Sequence, residues 1–361
     1  MNGDITISLC MIVKDEEDVL ERCIKSVLSA IDEIIIVDTG SKDKTKEIAL
    51  GLGANVYDMQ WQNNFGLARN LAFSKATKEY IMWLDADDVV TEESLQKLLE
   101  LKKNLDRNVD SVTMIYVLEE DSSGNPTSTL RRNRLVKRGR DFQWIGKIHE
   151  YLAVHGNIIN SDVSVHHRKI KSSSGRNLMI YEGMVKEGEE LSVRDMFYYG
   201  NELFHNGHYD KAIEQYNKFL DTKAGWIEDV KTALSNMSEC YSANGDNENQ
   251  LKCLLKAFEH DVPRSDFCCK IAYCFFNRNM IYQAIFWYKL AIDTAPSKDN
   301  LSLVNHATYT WIPNIQLCVC YSRLEMYDLA NKFNEEAGKF IPDNPMIIHN
   351  REFLKDKISN S

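Results

Sequence analysis

Three apolar runs restrict this chain more than any other feature, because each ends abruptly in polar residues and is followed by a helical pattern. Ile5 to Val13 runs into Lys14 to Glu16, Glu33 to Val37 (EIIIV) into Asp38 to Ser41, and Tyr80 to Leu84 (YIMWL) into Asp85 to Asp88. Runs this apolar leave neither face to water, so they read as strands buried on both sides. After the first, Val19, Leu20, Cys23, Ile24, Val27 and Leu28 recur at helical spacing over Glu16 to Ala30. A second helix is expected over Asp43 to Leu50 with Ser41 or Asp43 as its N-cap, and a third over Gly66 to Ala76. With a short strand near Asn55 to Tyr57 the order is βαβαβαβ, which requires a mostly parallel sheet with helices on both faces. Ligands of such sheets bind at the carboxyl ends of the strands, so the three polar ends are expected to converge on one edge.

Each of those ends has a chemical use. Asp85, Asp87 and Asp88 fall within four positions, and carboxylates this close repel unless they are solvated or a cation holds them. One reading is a divalent metal site at the strand end. The other is an acidic turn before a helix from Glu92 to Lys102, with Asp88 or Thr91 as N-cap. Asp38 can accept from the N–H of a planar base while Gly40 lets backbone approach the ligand, or the same residues form a helix-capping turn. Arg69, early on a helix after the loop from Trp61 to Phe65, could reach a phosphate or ribose oxygen, or stand solvated on the surface. Neither GxxxxGK[ST] nor GxGxxG is present, so a P-loop ATPase or a dinucleotide enzyme is not supported.

Composition narrows the setting. A formal net charge of −10 over 361 residues argues against general nucleic-acid or anionic-membrane binding. There is no run of about 18 apolar residues, and the N-terminus lacks a basic stretch leading into an apolar one, so a soluble cytoplasmic protein without stable membrane insertion is expected. The nine cysteines sit mostly in apolar helical contexts without a CxxC pair, as reduced structural thiols do.

Further along, Asp110 to Glu119 reads as another strand, and Ser122 to Pro126 as turn chemistry before a basic run of Arg131, Arg132, Arg134, Lys137, Arg138 and Arg140. That run either assists diphosphate binding or is a solvated hairpin. In FQWIGKIHEYL, Trp144, Gly146, His149 and Glu150 fit a cleft wall where a sugar stacks and a carboxylate deprotonates an acceptor, or a structural His–Glu pair. From Ser172 the pattern turns helical, with a linker at Ser172 to Gly175 and a helix from Asn177 to Glu187. Helix-turn-helix signals then recur around Gly207, Ala212 and Tyr216, around Gly245, Gln250, Leu254 and Ala257, and around Ala284, Tyr288 and Ala291. Ala257 to Ala291 spans 34 positions, the tetratricopeptide period, and Ala330, Ala337 and Pro342 give a degenerate fourth unit after an insertion near Ser297 to Thr310.

Taken together, SLCMIVKDEEDVLERCIKSV, EIIIVDTGSKDKT, WQNNFGLARN and YIMWLDADD resemble, in order and spacing, the family-2 inverting glycosyltransferases of GT-A fold, over residues 5 to 100. The resemblance implies an α/β GT-A domain over 1–171, Rossmann-like with a mostly parallel sheet. A linking helix over 172–194 and an all-α tetratricopeptide-like domain over 195–361 would follow. It implies that Asp38 reads a uracil base, that Asp85 lies near the ribose, that Arg69 stands beside the nucleotide, and that Asp87 ligates Mn²⁺ or Mg²⁺ on the diphosphate. GKIHE looks like the W-x-G-x-[IV]-H-E element of members with C-terminal helical repeats, which puts Glu150 at the catalytic base, with His149 supporting it, and Trp144 on the sugar side. SVHHRK resembles a segment whose histidine returns to the metal, with His166 the better aligned and His167 open, since the usual following glycine is missing. The whole arrangement resembles the peptide S-glycosyltransferases that modify glycopeptide bacteriocins. The implied donor is a UDP-sugar, with UDP-glucose favoured, and the implied acceptor a Cys thiol or Ser/Thr hydroxyl of a peptide. A homodimer through the repeats is an expected partner arrangement. The alternatives are a cell-surface glycan or lipid acceptor, and a catalytically dead scaffold.

Overall fold

The computed structural model describes residues 4–120, 124, 126–168, 175–294 and 304–359. It divides into two compact units, the first running to Ile180 and the second beginning at Tyr181.

In the first unit the chain order is β1 (Ile7–Val13), α1 (Leu20–Val27), β2 (Glu33–Asp38), α2 (Thr45–Gly51), β3 (Asn55–Asp58), α3 (Phe65–Lys75) and β4 (Tyr80–Trp83). Then come β5 (Asp88–Val89), α4 (Glu92–Asn104), β6 (Ser111–Glu120), β7 (Pro126–Lys137), β8 (Trp144–Ile145), β9 (Tyr151–Leu152) and β10 (Ile158–His167). The main sheet has the order β3-β2-β1-β4-β7-β6-β10-β5. Strands β3, β2, β1 and β4 are parallel, β7 runs antiparallel to both its neighbours, β10 is parallel to β6, and β5 is antiparallel to β10.

The unbroken apolar runs are explained by two cores, one on each face. Along β1 and β2, Ile7, Leu9, Met11, Ile34 and Ile36 pack with Leu20 and Ile24 of α1 and Leu98 of α4. Their alternate neighbours Cys10, Ile35 and Val37 pack with Ala72 and Phe73 of α3 and with Trp83 and Trp144. Side chains alternate across a strand, so both sets must be apolar when both faces are covered.

The polar strand ends meet as expected. Asp38 lies beside Val13 in register, and the turns after β1 and β2 are laced by Asp15 N–H to Ser41 Oγ at 2.9 Å, Glu16 N–H to Thr45 Oγ1 at 2.7 Å and Lys42 N–H to the Asp15 carboxylate at 2.7 Å. That lacing takes residues 14–19 out of the helix expected from Glu16, so α1 begins at Leu20. It also engages Ser41, and Asp43 accepts from the Thr45 N–H at 2.9 Å just ahead of α2. Helix α4 is capped by Thr91, not Asp88. The basic run is largely engaged within the fold, while Arg138 and Arg140 remain exposed. Arg131 donates to the Ser161 carbonyl, Lys137 to that of Arg107 and Arg138 to that of Lys78, Arg140 pairs with Asp110, and Arg134 is wholly buried. The expected turn at Ser122 to Pro126 and the linker at Ser172 to Gly175 lie largely outside the described residues, as does the first half of the expected insertion near Ser297.

The boundary between the units falls inside α5 (Arg176–Lys186), within the stretch expected to link them. Among the described residues of the second unit, antiparallel helix pairs follow: α6 (Val193–His205) with α7 (Tyr209–Asp221), α8 (Ile227–Ala243) with α9 (Asn247–Lys256), α10 (Ser265–Asn277) with α11 (Ile281–Asp293), and α12 (Trp311–Arg323) with α13 (Tyr327–Gly338), then α14 (Pro345–Ser359). Each hairpin turns on one residue of positive φ, in order Gly207, Gly245, Asn279 and Glu325. This is the C-terminal reversal that glycine and asparagine adopt most readily. The small residues at the crossings, Ala212, Ala284 and Ala330, are wholly buried, as close packing of paired helices demands. The unit is therefore a tetratricopeptide-like repeat. All nine cysteines are free, and all but the half-buried Cys253 are buried.

At Gly200 of α6 the helices also meet closely: an added Cβ would lie 2.6 Å from the Tyr216 ring. That ring cannot retreat, because its hydroxyl donates to Asn201 at 2.6 Å and lies 3.0 Å from the Asn236 amide. Gly200→Ala is expected to cost about 1–3 kcal/mol of overpacking. A chemical-denaturation curve that superimposes on the parent's would contradict this packing.

Candidate active site

The acidic turn is built by β4 and closed on itself. Asp88 donates its N–H to the Asp85 carbonyl at 3.0 Å, and its Oδ2 accepts the Asp85 N–H at 3.0 Å. This makes Asp88 a buried member of the turn and not a helix-start residue. Strand β10 then brings a histidine to it, through the pairing of His167 with Asp88 and the bond from Arg168 N–H to the Asp87 carbonyl. His167 Nδ1 lies 3.4 Å from Asp87 Oδ1 and 3.7 Å from Asp88 Oδ1, and 2.9 Å from the Tyr116 hydroxyl. Hydrogen bonding to Asp87 and Asp88 outweighs the opposing effect of burial and lifts His167 to about 9. Ligand atoms of Asp87, Asp88 and His167 all lie within 4.8 Å of one another.

His166, the histidine expected here, does not take part. Its Nδ1 lies 2.7 Å from Glu120 and its Nε2 3.0 Å from the Ser164 hydroxyl. The reason is strand alternation, which sends successive side chains to opposite faces and leaves only one of the pair beside Asp87.

Arg69 is the hub of the second half of the site. Its Nη2 donates to Asp85 Oδ1 and its Nε to Glu150 Oε1, both at 2.7 Å, and the guanidinium lies 4.9 Å from the Trp83 ring and 4.8 Å from that of Trp144. It is 8% exposed, which removes the reading of a solvated surface arginine. Burial works to raise the Asp85 pKa, but the Arg69 and Arg134 charges prevail and hold it down to about 2. Trp144 is only 4% exposed and meets Trp83 edge-on at 4.7 Å, so little of its ring remains for stacking.

The loop carrying Glu150 is held against α3. Phe65 N–H donates to the Lys147 carbonyl at 2.7 Å, and Asn70 exchanges two bonds with the Trp144 backbone, at 2.8 and 3.0 Å. Gly66 permits this approach, since a Cβ there would lie 2.4 Å from the Gly146 carbonyl oxygen. Gly146 and His149 both take positive φ, so the loop turns twice before Glu150. A cavity of about 220 Å³ opens among Arg69, Asp85, Arg132, Trp144, His149 and Glu150. Asp38, Asp87 and His166 do not line it. Asp38 is 2% exposed, and its Oδ1 accepts from Gly40 and Ser41 N–H at 2.9 and 3.0 Å while Oδ2 has no partner among the described residues. One oxygen thus closes a local turn ahead of α2 without capping that helix, which begins at Thr45 after Lys44.

Sequence reasoning favoured His166 and left His167 open as the histidine facing the acids, saw Arg134 only as a member of a basic run, and missed Tyr116. Their signal is two-residue alternation along β10, β6 and β7, which becomes readable only when a buried partner fixes which face is which.

The sequence of the unit that builds this site has relatives among known proteins. Residues 8–162 match the family model described as "Glycosyl transferase family 2", so the first unit is a glycosyltransferase family 2 domain. A TPR repeat-containing protein of Synechococcus elongatus is 38% identical over 144 residues, which are 40% of this chain and 34% of that protein. The SPbeta prophage-derived glycosyltransferase SunS of Bacillus subtilis is 26% identical over 242 residues, 60% of this chain and 56% of its own. The chain thus spans from about a third to just over half of the length of these relatives. Among solved structures, a glucosyl-3-phosphoglycerate synthase from Mycobacterium tuberculosis in complex with Mn²⁺, UDP and glucosyl-3-phosphoglycerate aligns at a TM-score of 0.35 and 15% identity, covering 52% of this chain and 82% of that one.

The ion pairs give a pH test. A carboxyl whose pKa is lowered in the folded state adds stability that is full above its ordinary value near 3.8 and is lost as pH falls toward about 2. Carboxyl NMR should find Asp85 titrating near 2 in the parent and well above it in Arg69→Met. That substitution leaves two carboxylates without their cation and is expected to cost about 3–5 kcal/mol. An Asp85 midpoint that does not move would remove Arg69 as its cause.

Proposed function

We propose that the chain is a metal-dependent inverting glycosyltransferase that moves a sugar from a UDP-sugar, UDP-glucose by preference, to a peptide side chain. The observation that carries this reading is that one guanidinium, Arg69, holds both Asp85 of the acidic turn and Glu150 across the cavity. Donor-side and acceptor-side carboxylates thereby face one space.

The donor set fits a hard divalent cation, since carboxylate oxygens with one imidazole suit Mn²⁺ or Mg²⁺. Asp87 and His167 would hold it, and a cation there supplies Lewis-acid neutralisation of a departing diphosphate. Asp38 would take the N–H of uracil on its unpartnered oxygen, and Asp85 would lie near the ribose. Glu150, its Oε1 fixed by Arg69, would receive the acceptor's proton, with His149 beside it on the cavity wall. In-line attack on the sugar's far face would invert its anomeric carbon. A Cys thiol, with a free pKa of about 8.5, needs less of that help than a hydroxyl. The helical repeats would recruit the acceptor peptide or a second copy of the chain. A cytoplasmic setting accords with the finding that no helix among the described residues is long and apolar enough to cross a membrane.

Asp87→Ala should abolish the Mn²⁺- or Mg²⁺-dependent part of UDP-sugar binding in calorimetry; unchanged binding and hydrolysis in that variant would sink the metal reading. Glu150→Gln should bind donor normally and lose about 10²- to 10⁴-fold in turnover toward a hydroxyl acceptor. Equal turnover by mass spectrometry of the glycosylated peptide would exclude Glu150 as the base.

A further inference from the structure

Among the described residues Arg134 is the largest fully buried side chain, and the proposed function gives it no task. Its guanidinium lies between two aromatic rings, 3.8 Å from that of Trp83 and 4.5 Å from that of Tyr116. Nη1 lies 3.0 Å from Asp88 Oδ2 and 3.2 Å from the Trp83 carbonyl oxygen. Asp88 Oδ2 is the same atom that accepts the Asp85 N–H and so closes the 85–88 turn. A buried charge is retained at a cost unless it is paired, and here the pairing reaches straight into the backbone of the acidic turn.

The three carboxylates of the turn are thereby sorted. Asp85 is paired by Arg69 and Asp88 by Arg134, each at hydrogen-bonding distance. Asp87 has no arginine side-chain partner among the described residues, and His167 Nδ1 lies 3.4 Å from its Oδ1. Resting on the metal reading of Asp87, we propose that Arg134 is a positioning residue: acting through Asp88, it fixes the 85–88 turn and cancels one of its charges, so that Asp87 and His167 are preset for a cation. Tyr116 contributes to the same arrangement, because its ring stacks on Arg134 while its hydroxyl holds His167 Nδ1. One β6 side chain thus orients both the arginine behind the turn and the histidine in front of it.

The test is calorimetry of Mn²⁺ with UDP on the full chain, alongside UDP binding without metal and thermal unfolding. Arg134→Met is expected to weaken Mn²⁺ by about 10- to 100-fold, as loss of a group that orients a metal ligand does, while leaving metal-free UDP affinity at the parent value. Arg134→Lys, which restores the charge, should recover part of the loss. Because Arg134→Met leaves Asp88 buried without its cation and so endangers folding, the double variant Arg134→Met/Asp88→Asn is measured beside it. Removal of both charges should restore the melting temperature without restoring Mn²⁺ affinity, since the carboxamide is no longer held in place. Parental Mn²⁺ affinity in either variant would overturn the proposal and leave Arg134 a packing residue. Asp87→Ala in the same series separates the two readings: if it too binds Mn²⁺ as the parent does, the metal assignment itself fails; if it alone loses Mn²⁺, only the role of Arg134 falls.

Discussion

The Arg69 guanidinium is the interaction on which the candidate site depends. It is buried, lies against the rings of Trp83 and Trp144, and is committed at 2.7 Å to one carboxylate from the acidic turn and one from the 146–150 loop. Burial alone would push Asp85 toward its neutral form, and the Arg69 charge opposes that. The separation of the two carboxylates is set by the width of a planar fork. The loop has no regular structure to hold it at Glu150, so its position follows from this bridge and from the glycine-to-carbonyl approach beside α3.

Much of this was legible in the sequence, and the reasons for success and failure are physical. The doubly covered sheet could be read because burial on both faces erases alternation, leaving continuous runs such as EIIIV that few other settings allow. The helical repeats could be read because small residues at crossings recur with the length of a hairpin. The acidic turn was visible as composition. What stayed open or hidden depended on partners distant in the chain: which of His166 and His167 stands beside Asp87, and Arg134 as a buried ion. Each turns on which face of a strand or turn is the inside one, and a short alternating segment fits either assignment equally well until its neighbours are in place.

The basic run from Arg131 to Arg140 shows the same limit from the other side. As composition it suggested either a ligand surface or a solvated hairpin, yet most of its members are spent on carbonyls and carboxylates of their own sheet. Charge density in a sequence reports potential partners, and in a folded strand the nearest partners are other strands. The two arginines that matter most for the site, Arg69 and Arg134, are the ones least available to solvent.

The burial of the nine thiols has a consequence for a domain that handles an activated sugar. Burial pushes Cys268 and Cys269 up to about 12 and Cys318 and Cys320 to about 11, and Cys10 and Cys23 higher still. At neutral pH such groups carry almost no thiolate, the form in which sulfur attacks carbon. Were the acceptor a thiol, as proposed, burial would hold these cysteines back from self-modification and favour a sulfur supplied by another molecule.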